Sequence, residues 1–237
     1  MKLISIGLLG LLLSTGSTAA NWDLMGTARD PETGSLIYRE FHRVNINSDN
    51  SKTRVVEYRD EDDELMVIKT LVTPEGRPYL PELEWDDRIQ SSTIIGRFNE
   101  GIYQQRIDRP DGNTVERAQL SDLQNTVLDA GFDQYLQDRM TDIIDNGRID
   151  FDFLSLGAGR TYAFTAQLQS LNDNTIEVRV APRSAIIRFF VDPIDLVYDR
   201  ETLALQRYQG ITNFRRDGSI VNAIIEYEYL TNNSTEG

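Results

Sequence analysis

The sequence predicts a mainly β fold: a large curved antiparallel sheet or unclosed barrel, with one amphipathic α-helix over residues 129–146 packed against it. Two observations predict it. Segment after segment alternates apolar with polar residues and ends at a turn signal, the pattern of strands with one buried face. Between two such series, Phe132, Tyr135, Leu136, Met140, Ile143 and Ile144 recur at spacings of 3, 1, 4, 3 and 1, which lays an apolar stripe along a helix.

In chain order, Trp22 to Ala28 and Leu36 to Val44 read as strands around the turn Asp30-Pro31-Glu32-Thr33-Gly34. Lys52 to Tyr58 and Leu65 to Val72 form a hairpin over an acidic turn. Thr73 to Leu83 carries Pro74, Pro78 and Pro81 and reads as a loop or an interrupted edge, because proline cannot donate to a ladder. Ser92 to Phe98, Gly101 to Ile107 and Val115 to Leu120 follow as strands, the last two joined by Pro110-Asp111-Gly112. Ser121 and Gln124 pair as a capping box for a short helix over 121–128. The main helix has Asp129 and Asp133 at its start, where the macrodipole favours negative charge, and Gly147 as its C-cap. Strands resume at Arg148 to Leu154, Tyr162 to Leu168, Thr175 to Val180, Ala185 to Val191, Ile194 to Tyr198, Leu205 to Phe214 and Ile220 to Leu230. Asn172-Asp173-Asn174 and Arg216-Asp217-Gly218-Ser219 mark tight hairpins.

The first twenty residues read as an address. Met1-Lys2 is a positive start, Leu3 to Leu13 is apolar, and Ser17-Thr18-Ala19-Ala20 is a small-residue cleavage site. The apolar stretch is shorter than the roughly 20 residues a membrane span needs. The expected organisation is a signal peptide over 1–20 cleaved after Ala20, one β-rich domain over 21–230 and a polar tail over 231–237. The mature protein is expected in a bacterial periplasm and not spanning a membrane, since an exported chain with no Cys fits that compartment better than a eukaryotic secretory route. An inserted outer-membrane barrel fits poorly, because strands such as Thr53 to Asp60 carry charge on both faces.

Composition closes off several chemistries. With 38 acidic against 24 Lys and Arg residues the net charge is −14, which repels nucleic-acid backbones. Without Cys there is no thiolate nucleophile, Cys-ligated zinc or iron–sulfur cluster, and one His excludes a multi-histidine metal site; no cofactor is expected. The run Asp60-Glu61-Asp62-Asp63-Glu64 lacks the ligand spacing of a calcium loop and reads as a solvated hairpin tip. Glu82, Glu84, Asp86 and Asp87 around Trp85 form a second acidic patch, with no pairing that singles out a glycosidase. His42 shares a strand face with Tyr38 and Glu40. No nucleophile motif accompanies it, so a surface or hydrogen-bonded structural role is expected. Gly157-Ala158-Gly159 lies between strands and reads as a turn, not a dinucleotide loop.

Aromatic residues crowd the strands of the C-terminal half. Core packing accounts for most of them, and an apolar cleft uses the same residue types. The residues expected to line such a cleft are Phe151, Phe153, Tyr162, Phe164, Phe189, Tyr198 and Tyr208, with Phe132, Tyr135 and Met140 from the helix.

The stretch from Ile194 to Tyr208, with the hairpin through Tyr229, resembles the late strands of exported bacterial proteins of uncharacterised families, which are similar in layout to the lipoprotein-carrier fold of the periplasm. The signal peptide, the hairpin Tyr198-Asp199-x-x-Thr202-x-x-Leu205 and a helix set against a curved sheet carry the resemblance, over about the last fifth of the chain. It implies an unclosed barrel that holds lipid or lipoprotein acyl chains. The expected function is therefore non-enzymatic binding of an apolar or amphipathic ligand, a lipid or acyl chain. The alternatives are an interaction or assembly protein with an envelope partner and no ligand pocket, and a hydrolase with acidic catalytic residues.

Overall fold

The computed structural model describes residues 22–155, 160–188, 192–216 and 218–230. The expected signal peptide over 1–20, Gly157-Ala158-Gly159, Phe189, Phe190, Val191, Asp217 and the tail over 231–237 lie outside the described residues.

Alternation becomes sheet almost wherever it occurs. The first series is β1 (Leu24–Arg29), β2 (Leu36–Ile46), β3 (Lys52–Arg59), β4 (Leu65–Thr73), β5 (Glu82–Asp87), β6 (Ser92–Asn99), β7 (Ile102–Arg109) and β8 (Gly112–Gln119). A short β9 (Thr126–Val127) leads into α1 (Gly131–Asp138) and α2 (Met140–Asn146). The second series is β10 (Arg148–Ser155), β11 (Arg160–Leu171), β12 (Thr175–Pro182), the helical turn α3 (Ala185–Arg188), β13 (Ile194–Asp199), β14 (Leu205–Arg216) and β15 (Ser219–Tyr229).

Among the described residues these strands make one unclosed sheet in the order β8-β7-β6-β5-β4-β3-β2-β1-β15-β14-β13-β12-β11-β10-β9. Hairpin neighbours stay neighbours, and β1 pairs with β15, Leu24 opposite Tyr229. The two meanders are thus joined at the sheet's centre, and the sheet is open between β8 and β9. Every pairing is antiparallel except β9 with β10, where the two helices supply the crossover a parallel pair requires. Side chains bridge the opening where the ladder does not. Leu80, Tyr103, Ala118, Leu120, Leu128 and Leu154 form one buried cluster there, drawn from β7, β8, β10 and the flanking loops.

The helical stripe packs where its periodicity requires. Phe132, Tyr135, Leu136, Met140 and Ile143 join Phe151, Ala166, Ile176, Val178, Val180, Leu196 and Tyr198 in a cluster on the inner face of the second meander. Each of the larger aliphatic and phenylalanine side chains contributes about 1.5–3 kcal/mol when fully buried. A separate cluster under the first meander contains Tyr38, Val56, Tyr58, Val67, Trp85, Phe214 and Ile225.

Five expectations are corrected. The single helix over 129–146 is two, divided at Arg139 (φ −105°, ψ 10°). Arg139 N–H still donates to Tyr135 O at 3.0 Å and Ile143 N–H to Arg139 O at 3.0 Å, so the stripe crosses the break intact. The helix starts at Gly131, not Asp129, because Asp129 holds a left-handed φ of 48°. The capping box at Ser121 starts no helix; Thr126 and Val127 add to the sheet beside β10 instead. Of the apolar run from Ala185 to Val191, residues Ala185–Arg188 form a helical turn, with Ser184 Oγ accepting from Ile187 N–H. Finally, the acidic patch over 82–87 is itself β5, with Leu83, Trp85 and Asp87 buried and Glu82, Glu84 and Asp86 more exposed.

Candidate functional site

Inward-facing positions of a strand are normally apolar, so polar residues at those positions mark what the fold encloses. On β2 the inward row is Tyr38, Glu40 and His42, and all three are buried. On β4 it is Val67, Lys69 and Leu71, so an ammonium sits between two aliphatic side chains. Tyr38, Glu40, His42 and Lys69 line a cavity of about 440 Å³ inside the curved sheet, within the 300–1,000 Å³ range common for small-molecule sites.

The cavity has two kinds of wall. The second meander and the helix supply an apolar side with Phe132, Phe153, Phe164, Val180, Ile194 and Leu205. The first meander and the strands that join it supply a polar aromatic side with Tyr38, Tyr58, Trp85, Tyr208 and Tyr227 around Glu40, His42 and Lys69. The start of α1 forms the floor through Asp129, Ala130, Phe132 and Asp133. The opposite rim is built from hairpin turns and strand ends, with Gln90 and Ser92 after β5, Arg109 at the end of β7, and Arg215 and Ile220 flanking the β14–β15 turn.

Local sequence explains the positioning. Gly26 on β1 stands between Glu40 on β2 and Tyr227 on β15. A Cβ there would come within 2.7 Å of Glu40 Cγ and 2.9 Å of Tyr227 Cε1, so the glycine leaves the gap in which those two side chains meet. Gly131 does the same at the floor, where a Cβ would lie 2.2 Å from the backbone oxygen of Tyr79. That close approach lets the proline-bearing loop before β5 strap the helix: Leu128 N–H donates to Tyr79 O, and the Tyr79 hydroxyl donates to Asp138 Oδ2 at 3.0 Å.

The charges inside are mostly paired. Lys69 Nζ lies 2.9 Å from Asp129 Oδ1, Asn213 Nδ2 donates to the other Asp129 oxygen at 2.8 Å, and Asp129's own Oδ1 also accepts from Ala130 N–H. Lys69 also lies 5.8 Å from the Tyr58 ring centre and 6.0 Å from that of Trp85, within cation–π range. His42 Nε2 is 3.2 Å from Glu40 Oε1, near enough for charge attraction though off-axis for a hydrogen bond. Burial acts to raise the Glu40 carboxyl, but His42, Lys69 and the Tyr227 hydroxyl outweigh it and the pKa falls below its ordinary value. Asp133 goes the other way: burial raises its pKa, although Arg54, the Tyr198 hydroxyl at 3.1 Å and the Gln137 amide at 3.1 Å all favour the ionised form. Burial pushes the Tyr38, Tyr58 and Tyr227 hydroxyls well above their ordinary range, so they act as neutral donors and acceptors. Both His42 ring nitrogens and Gln105 Nε2 are buried in the walls without a hydrogen-bond partner among the described residues.

Of the aromatic residues picked from sequence, Phe132, Phe153, Phe164 and Tyr208 line the cavity. Tyr135, Met140, Phe151 and Tyr198 pack behind it in the core. Tyr162 stacks with Arg160 instead, the guanidinium carbon 4.8 Å from its ring centre, and Phe189 lies outside the described residues. His42 is not a surface residue, since its side chain is 9 % exposed. The run Asp60 to Glu64 is a solvated turn, in which Asp60 Oδ1 accepts from the Asp62 and Glu64 backbone. Sequence reading missed Arg54, Lys69, Asp129, Asp133 and the aromatic wall of the first meander. The signal for Lys69 was present: a lysine at the inward parity of an otherwise apolar strand. Among the described residues no group of three or more His, Asp or Glu is placed to hold a metal ion, and no helix is long and apolar enough to cross a membrane.

No protein-family model and no curated protein matches the chain. Among solved structures it is similar to the crystal structure of a beta-barrel-like protein of domain of unknown function DUF1849 from Brucella abortus. The identity is 10 % and the TM-score 0.48, over 89 % of this chain and 96 % of that one.

Proposed function

We propose that this chain is an exported, non-enzymatic binding protein that holds an amphipathic ligand, a lipid or acyl-chain compound, inside its curved sheet. The observation that carries the reading is the two-sided lining of the cavity: Phe153, Phe164, Val180 and Leu205 on one side, and Glu40, His42 and Lys69 among Tyr38, Tyr58, Tyr208 and Tyr227 on the other. A purely apolar guest would leave the polar wall unsatisfied, and a purely polar one would strand the apolar wall. A molecule with both ends suits both, and each methylene buried against the apolar side contributes about 0.8 kcal/mol. Periplasmic residence, with cleavage after Ala20, rests on the charged start, apolar middle and small-residue end of the first twenty residues.

Native mass spectrometry of freshly purified protein, followed by lipid extraction, is the direct test. A bound mass of one amphiphile, displaced by the neutral fluorophore N-phenyl-1-naphthylamine, supports the reading. Ile194→Trp, which adds bulk to the apolar wall of the cavity, should then exclude the fluorophore while the protein remains folded by circular dichroism. A protein that carries nothing and leaves the fluorophore dark counts against it. Export is tested by sequencing the N-terminus of the mature protein, where Asn21 is the expected first residue.

A further inference from the structure

Lining a cavity in a chain with 38 acidic and 24 basic residues, Arg54 is conspicuous for what it lacks. It lies on β3, half-buried, opposite Val44 on one side and Leu71 on the other. Among the described residues no carboxylate comes within 4 Å of it and no group hydrogen-bonds to it. The other interior cation, Lys69, is neutralised by Asp129 at 2.9 Å. The two remaining cations of the lining are exposed at the rim and engage neutral oxygens: Arg109 donates to Thr114 Oγ1 at 3.2 Å and Arg215 to Gly218 O at 3.0 Å.

We propose that the ligand's polar end is an anionic oxygen group, a carboxylate or a phosphate monoester, and that Arg54 receives it near the floor of the cavity. This rests on the reading of the cavity as a ligand site. A half-buried guanidinium without a partner is costly, and a planar fork of N–H donors matches both anions. Arg54 acts electrostatically on three groups around it: Asp133 from α1, Tyr58 from its own strand and Tyr229 from β15. Asp133 is the acid that would oppose an incoming anion, and burial drives it toward its neutral form. Glu40 is engaged by His42. The floor therefore presents a fork of free donors, while Glu40 and Asp129 are paired and the two Asp133 oxygens already accept from the Tyr198 hydroxyl and the Gln137 amide. At the exposed rim the same charge would be largely screened by solvent.

The test uses three ligands of one chain length, decanoate, decyl phosphate and 1-decanol, each displacing N-phenyl-1-naphthylamine from the purified mature protein. At least one anion should bind about tenfold or more tighter than the alcohol, as expected for a charge-assisted hydrogen bond. Which of the two wins distinguishes a carboxylate from a phosphate headgroup. Arg54→Gln should abolish that preference, Arg54→Lys should keep part of it, and Arg97→Gln on the outer face should keep all of it. If the alcohol binds as well as both anions, or the preference survives R54Q and disappears in R109Q or R215Q, the assignment is overturned. If none of the three displaces the fluorophore, the ligand reading itself fails and this inference falls with it. Should R54Q not fold, R54K together with the wild-type comparison decides the matter.

Discussion

Lys69 and Asp129 are sixty positions apart in sequence, yet their charged atoms lie 2.9 Å apart in the interior, with the side chains 9 % and 2 % exposed. The pair ties the centre of β4 to Asp129, which stands two residues before α1 in a left-handed conformation. It therefore couples the wall of the cavity to its floor.

Removing one partner of this pair should be far worse than removing both. Asp129→Asn or Lys69→Met leaves an interior charge uncompensated, at a cost of about 3–5 kcal/mol. The double variant should lose clearly less than the sum of the single losses. A double-mutant cycle by urea denaturation measures the difference, and additive losses would show that the two groups are not energetically coupled.

Acid should weaken the protein in part through Glu40. Its folded pKa lies below the ordinary 4.5, so the folded state binds fewer protons than the unfolded one near that value. The associated stability is present above 4.5 and is lost as pH falls through the folded value. Glu40→Gln should be less stable than wild type at pH 7, with the gap narrowing below pH 4 in thermal melts. A gap independent of pH would contradict this.

Asp133 should titrate with the opposite sign. Its folded pKa lies above 3.8, so between 3.8 and the folded value the native state holds the extra proton, and stability falls as pH rises through that interval. Asp133→Asn keeps an acceptor for the Tyr198 hydroxyl and removes the titration. Relative to wild type it should gain stability on going from pH 4 to pH 7. A gain in the other direction would mean that the aspartate is stabilised as an anion.

Gly131→Ala should destabilise the protein by about 1–3 kcal/mol through overpacking, because the new Cβ meets the rigid backbone of Tyr79 at 2.2 Å. Gly147→Ala, with open space around it but φ at +76°, should cost about 1 kcal/mol through backbone conformation alone. Chemical denaturation separates them. If G131A is the milder change, the strap between Tyr79 and the helix is looser than the contact implies.

Most strands were legible because a half-buried strand writes its own period of two. The helix was legible because Phe132 to Ile144 follow a different period. β5 is masked for a local reason: the acids at 82, 84 and 86 have the composition of a charge cluster, although Leu83 and Trp85 between them carry the same alternation as any other strand. In the site, Glu40 and His42 could be placed together from sequence, since i and i+2 share a strand face. Lys69 with Asp129, or Arg54 with Asp133, could not. Those relationships depend on how far the sheet curls before the helix closes its end, and no local pattern encodes that curl. The division of the aromatics likewise depends on depth: Phe151 and Phe153 are two residues apart on one strand, yet the first sits in the core and only the second reaches the cavity.

The pairing of β1 with β15 also sets an order of events. As the chain emerges, β1 finds β2 at once, but its other edge has no partner until Ser219–Tyr229 has been made and delivered. Through all of that interval the strand that will sit mid-sheet is an open edge beside apolar surface, a site where a wrong strand can attach. Assembly of this molecule is therefore sealed at the place where it started, and its yield should depend on what shelters that edge in the meantime.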